Sequence, residues 1–186
     1  MPLGSLWIPG IVSAVVVFMG SSILHMALKY HRADYKGLPN EDAVRETLGK
    51  AGAAPGVYVT PYCEEMKQMQ DPAMKAKYEK GPVAIITLLP NGQVVLAKHL
   101  SLWFAFILFV SFTAAYVARI TLMPGMDGML VMRVTGTVAF AAYGLSHVSD
   151  SIWKGQPWSN TARALLDSVI YSVLTGVTFR MLWPGV

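Results

Sequence analysis

The chain has 186 residues, of which 54% are hydrophobic and only 14% charged, and its formal net charge is +4. An ordinary soluble domain carries roughly a quarter charged residues, so this balance excludes a typical soluble enzyme and points to an integral membrane protein. Nucleic-acid binding is excluded as a reading of the basic excess, because residues 29–99 also carry eight acids and basic anchors at anionic headgroups account for it. A lone cysteine, Cys63, leaves no internal disulfide.

In chain order, Leu6 to Leu28 is uncharged and lacks the basic leader and small-residue cleavage pattern of a signal peptide. It is expected to remain as a first transmembrane helix within residues 1–28. Residues 29–99 form the one sizeable polar segment. Asn40, Glu41 and Asp42 open a short helix that Gly49 is expected to stop. After the turn Ala54-Pro55-Gly56, Val57 to Thr60 reads as a strand. Cys63 to Gln70 and Pro72 to Lys80 read as helices, the second with Asp71 as cap, Pro72 in its first turn and Gly81 as terminator. Val83 to Leu89 and Gln93 to Lys98 flank Pro90-Asn91-Gly92, which predicts a β-hairpin near 83–98. The first of these strands is apolar at almost every position, so both of its faces are expected to be covered.

Three further spans follow at residues 100–123, 128–148 and 164–183, with a cytoplasmic loop at 149–163 between the last two. Each is about the ~20 residues that a helix needs to cross the hydrocarbon layer. The expected fold is therefore a mainly α membrane protein: four transmembrane helices with a small α+β extramembrane cap inserted between helices 1 and 2. Near the span ends, Lys29, Arg32, Lys36, Lys98, Lys154 and Arg163 lie on one side and Arg119, Arg133 and Arg180 on the other. The positive-inside rule puts the first group in the cytoplasm of a bacterial inner membrane, with both termini periplasmic and 29–99 cytoplasmic.

All four histidines gather on that cytoplasmic side. His25 and His147, near the ends of spans 1 and 3, are the candidate pair for axial ligation of a haem or a (bacterio)chlorophyll; the ordinary alternative is an amphipathic ring resting at the interface. Cys63, Met66, Met69 and Met74 offer soft sulfur ligands, or simply a packing face. Asp167, the one acid well inside a span, is expected to pair with Arg163 one turn earlier, and Asp150 with Lys154. Trp153 and Trp158, with Trp7, Trp103 and Trp183, read as an aromatic belt. Gly136, Gly144, Ser172 and Gly176 are small residues at a spacing that lets helices approach closely, within this bundle or against another subunit. No ionisable group falls at mid-span, which counts against a transporter.

The stretches Leu28-Lys29-Tyr30-His31-Arg32-Ala33-Asp34-Tyr35 and Ile152-Trp153-Lys154-Gly155-Gln156-Pro157-Trp158 resemble a family of small bacterial multi-pass membrane proteins without an assigned activity. So do Leu38-Pro39-Asn40-Glu41-Asp42-Ala43 and Gly81-Pro82-Val83 with Pro90-Asn91-Gly92. The resemblance implies an inner-membrane location and carries no catalytic residues to transfer. The expected function is a non-catalytic accessory subunit of a respiratory or photosynthetic membrane complex, bound to lipids and to other membrane subunits. A haem- or pigment-binding electron-transfer protein is the alternative, and a small transporter or membrane enzyme stands below both. The topology predicts that a C-terminal alkaline phosphatase fusion is active and a C-terminal fluorescent-protein fusion dark; the reverse pattern would invert the orientation.

Overall fold

The computed structural model of the protein describes residues 3–185; Met1, Pro2 and Val186 lie outside the described residues. It is mainly helical, at 72%, with one two-stranded sheet. The elements in order are α1 (Trp7–Ser22), α2 (Glu41–Lys50), β1 (Gly56–Thr60), α3 (Pro72–Lys80), β2 (Ala84–Leu88), α4 (Leu96–Thr121), α5 (Gly128–Lys154) and α6 (Trp158–Met181). They fall into two compact units, Met1–Lys36 with Val95–Val186, and Gly37–Val94.

In the first unit, four helices are long and apolar enough to cross a membrane: Gly4–Ala27, Leu96–Thr121, Gly128–Lys154 and Trp158–Met181. They form a closed ring in which α1 packs on α4 and α6, and α5 packs on the same two neighbours. One core cluster joins Val17, Ile107, Val110, Ala139, Tyr143 and Tyr171; a second joins Leu6, Ala118, Val131, Phe179 and Trp183. The contact between α5 and α6 is the most extensive, and its glycines explain it. A Cβ on Gly176 would stand 2.8 Å from the Met132 carbonyl oxygen, and one on Gly136 would stand 3.1 Å from that of Ser172. A Cβ on Gly144 would stand 3.0 Å from the side-chain Cβ of Ser168. The small residues therefore pack the protein's own bundle, where close backbone approach replaces side-chain interdigitation.

Local chemistry sets the helix ends. The Asp127 carboxylate accepts from the Leu130 amide at 3.1 Å to start α5, and Gly155, with φ of 66°, ends it in a left-handed cap. This moves two expected boundaries. The predicted 149–163 loop shrinks to Gly155-Gln156-Pro157, because the Asp150–Lys154 pair (2.7 Å) extends α5 and the polar residues after Pro157 form the first turns of α6. The aromatic belt is also partial. Trp153 and Trp158 are exposed, whereas Trp183 is buried and donates to the Met123 carbonyl at 3.1 Å, and Trp103 donates to Ser21 Oγ at 3.0 Å.

In the second unit, Asp71 accepts from the Ala73 amide, Pro72 opens α3 and Gly81 ends it with a positive φ, as the sequence requires. Gly49 lies within α2 instead of stopping it. The 83–98 hairpin does not form. Instead β2 pairs antiparallel with β1, in the register Val57↔Thr87 and Val59↔Ile85. The physical reason is local: Leu96 and Ala97 are good helix formers at the edge of a long apolar helix, and extending α4 backward by a turn needs no new nucleus. The expectation that both strand faces are covered also fails among the described residues. Val57, Val59 and Ile85 share one exposed face, and no residue of 37–94 is buried.

Overpacking the α5–α6 seam is expected to cost about 1–3 kcal/mol. Gly176→Ala should therefore lower the thermal unfolding midpoint in detergent by several degrees, while Gly37→Ala, where a Cβ meets nothing within 4 Å, should leave it unchanged. Equal midpoints for the two variants would refute the seam.

Candidate functional site

The site is built where α1 ends. The helix widens into a π turn over Ile23–Ala27, closed by the Leu28 amide donating to the Ile23 carbonyl at 3.1 Å, and His25 sits on this turn. Such single wide turns recur at functional sites. The chain continues as a 3-10 helix over Lys29–Asp34. In that tighter coil, residues three apart are eclipsed, so His31 and Asp34 face one way and their Nδ1 and Oδ2 atoms are 2.6 Å apart.

The facing surface comes from α6. Asn160, Arg163, Asp167 and Tyr171 follow at intervals of three and four residues, which puts them on one helix face. Arg163 Nε donates to Asp34 Oδ1 at 2.5 Å, and the same guanidinium donates to Asn160 Oδ1 at 2.8 Å. Asn160 in turn donates to the Asp34 carbonyl at 3.1 Å. Arg163 is therefore committed to Asp34, and the expected Arg163–Asp167 pair does not form. The reason is that Asp34 comes within reach of the guanidinium through the fold and sequence neighbours do not reveal it.

Asp167 is 4% exposed and meets a different set of partners. Tyr30 donates its hydroxyl to Oδ1. His31 Nε2 stands 2.8 Å from Oδ2, and His25 Nε2 stands 3.6 Å from the same oxygen. The rings of His25 and His31 stack with centroids 4.3 Å apart, and His25 Nε2 lies 3.2 Å from the Tyr171 hydroxyl. His25, His31 and Asp167 thus offer three ligand atoms within 4.8 Å of one another.

The electrostatics follow from these distances. Burial alone would raise the Asp34 carboxyl, but hydrogen bonds from His31 and Arg163 outweigh it and hold it below the ordinary 3.8. Burial, and then the neighbouring Asp167 carboxylate, push the Tyr30 hydroxyl well above its usual value, so it remains a donor. Both ring nitrogens of His31 face carboxylate oxygens. A neutral imidazole has one donor nitrogen and one lone pair, so with Nδ1–H given to Asp34 the Nε2 lone pair would confront a carboxylate. A proton shared between Nε2 and Asp167, or a metal cation held by both, resolves that conflict.

A cleft of about 620 Å³ opens beside the cluster, bounded by His25, His31 and Asp167 together with Trp103, Tyr143 and His147. The cleft therefore brings His25 and His147 to one space, but the direct partner of His25 is His31. His99 is exposed at the start of α4 and Met66 is exposed in the 3-10 turn Met66–Gln70. Sequence reasoning missed the roles of Tyr30, His31, Asp34 and Tyr171; the 160/163/167/171 spacing was the available signal.

Searches against family models, curated proteins and solved structures return no match for this chain. Its function must therefore be argued from the site itself.

Arg163→Ala would leave the Asp34 carboxylate, with 16% of its side chain exposed, without its cation. Removing one partner of a half-buried, hydrogen-bonded charge costs about 1–3 kcal/mol. The exposed Lys154–Asp150 pair, at 64% and 33% exposure, is worth less than about 1 kcal/mol. Thermal unfolding in detergent followed by circular dichroism should show a clearly larger loss for Arg163→Ala than for Lys154→Ala.

Proposed function

We propose that the protein is a membrane metalloprotein. Its four apolar helices span the bilayer, and His25, His31 and Asp167 hold one divalent transition-metal ion, of the Zn²⁺ or Fe²⁺ kind, at the cytoplasmic end of the bundle. The observation that carries this reading is His31 suspended between two carboxylates. Asp34 accepts a hydrogen bond from Nδ1–H and orients the ring, which directs the Nε2 lone pair at the position an ion would share with Asp167. That is the carboxylate–histidine–metal arrangement by which outer ligands fix the tautomer of an inner one. Tyr30 plays the same orienting part for the Asp167 carboxylate.

Two imidazoles and one carboxylate suit borderline ions. Three protein ligands leave coordination positions free, the pattern of catalytic sites, whereas structural zinc sites are closed with four. Here the free positions would face the cleft, so a bound water or substrate could reach the ion.

A second reading has its own observation. The exposed apolar face of Val57, Val59 and Ile85 supports an accessory role in a larger membrane complex, and partner chains would then survive extraction in mild detergent.

The metal reading is tested on the full chain purified in detergent, loaded with Zn²⁺ and desalted. Elemental analysis should give about one ion per chain, and His31→Ala and Asp167→Asn should abolish it. Tyr30→Phe should weaken binding by about 10–100-fold, the usual effect of losing an outer partner. Less than a tenth of an ion per chain, or equal loading of wild type and both ligand variants, would overturn the reading and leave His31 as an imidazolium bridge. A visible absorption band in the purified protein would instead favour a tetrapyrrole held by His25 and His147.

A further inference from the structure

The lining of the cleft carries an anomaly. Tyr143 is 5% exposed, and its hydroxyl oxygen is buried without a hydrogen-bond partner among the described residues. A buried donor left unpaired costs about 1–3 kcal/mol, and such groups are uncommon enough in folded proteins to require a cause. Phenylalanine would fill the same space without that cost. Tyr143 also lines the cleft, so a bound molecule is the available source of the missing acceptor.

The surroundings say what kind of molecule. The Tyr143 ring makes edge contacts with Phe106 (5.9 Å, 80°) and Tyr171 (5.4 Å, 74°), and lies 6.2 Å from Trp103 at 55°. Rings set at such angles leave faces and edges against which a further planar ring packs well. Polar groups supply much of the rest of the lining: besides the His25–His31–Asp167 cluster, His147, Asp150, Gln156 and Asn160 border the same space. A volume of about 620 Å³ is within the usual range of a small-molecule site, and the aromatic side chains give a ring a surface to pack on. Phe106 borders the cleft while 41% exposed. On the membrane reading above, that exposed side faces lipid, so the cleft has an apolar mouth as well as a polar one.

We propose that this cleft binds a lipid-soluble planar ring bearing carbonyl oxygens, a quinone-type headgroup. The ring lies against Trp103, Phe106 and Tyr143, and the Tyr143 hydroxyl donates to one carbonyl oxygen. The inference rests on the bundle lying in a bilayer and on the cleft, and it does not require the ion.

The probe is a decyl-substituted benzoquinone titrated into the full chain in detergent micelles, with quenching of tryptophan fluorescence as the readout. Wild type should show saturable quenching that Trp103→Phe removes. Tyr143→Phe should weaken binding by about tenfold, the worth of one hydrogen bond of about 1.4 kcal/mol. Because that hydroxyl has no partner to lose among the described residues, the variant should unfold at or above the wild-type temperature, which separates a binding defect from a folding one. Both metal-free and Zn²⁺-loaded protein are titrated. Saturation in either form supports the proposal whatever the metal analysis returns; linear, unsaturable quenching in both overturns it and leaves the metal reading standing. Equal affinity of Tyr143→Phe and wild type overturns it too, as does displacement of the quinone by a decyl ester at equal concentration, which would assign the cleft to an acyl carbonyl.

Discussion

The arrangement of the first unit depends on one carboxylate. Asp167 lies on α6 with only 4% of its surface exposed, where an unpartnered ion would be strongly disfavoured. Its partners come from the chain just beyond α1: His25 on the wide turn, then Tyr30 and His31 on the 3-10 helix. Meeting that demand fixes the conformation of the whole 23–34 segment. An ordinary α-helical continuation would spread those three residues around the helix, whereas a π turn followed by a 3-10 helix brings them to one acceptor. Arg163, one turn earlier on α6, then secures the end of the same segment through Asp34.

The bundle supplies the rigidity that such a cluster needs. At the α5–α6 seam the backbones approach so closely that a methyl group at Gly176 would meet a carbonyl oxygen, so α6 has little freedom to shift or rotate. Small polar groups add to this: Ser13 and Ser111 meet at 3.4 Å between α1 and α4, and Ser151 and Thr161 at 2.5 Å where α5 turns into α6. Fixed helices hold a ligand set in place more accurately than loops do. The 37–94 unit is organised differently. Its two strands pair, but it buries no residue, in keeping with the marginal core expected of so short a segment.

Much of this was legible in the residues. The four apolar runs mark the four long helices, and Asp71, Pro72 and Gly81 mark both ends of α3, because these signals are local and act through composition or a single turn. The errors arose where a local signal competed with a distant partner. Pro90-Asn91-Gly92 suggested a hairpin, yet the strand after it was absorbed into α4 while β2 found β1 instead. Ser159 to Arg163 looked like loop because polar residues ordinarily avoid spans; here they form the first turns of α6 and serve Asp34. The site was half visible. Asp167 and the gathering of His25 with the other histidines on one side can be read from the residues, but local spacing pairs Asp167 with its helical neighbour Arg163, and no periodicity reveals that a segment 136 positions away supplies the true partner.

The contact between His31 and Asp167 is therefore the claim on which both the local fold and the metal reading stand. A double-mutant cycle tests it most directly, with the stability of His31→Ala, Asp167→Asn and the double variant measured in the same detergent. A shared contact between largely buried polar groups predicts a coupling energy above about 1 kcal/mol, with the double variant losing less than the sum of the single losses. Additive losses within about 0.3 kcal/mol would contradict the account.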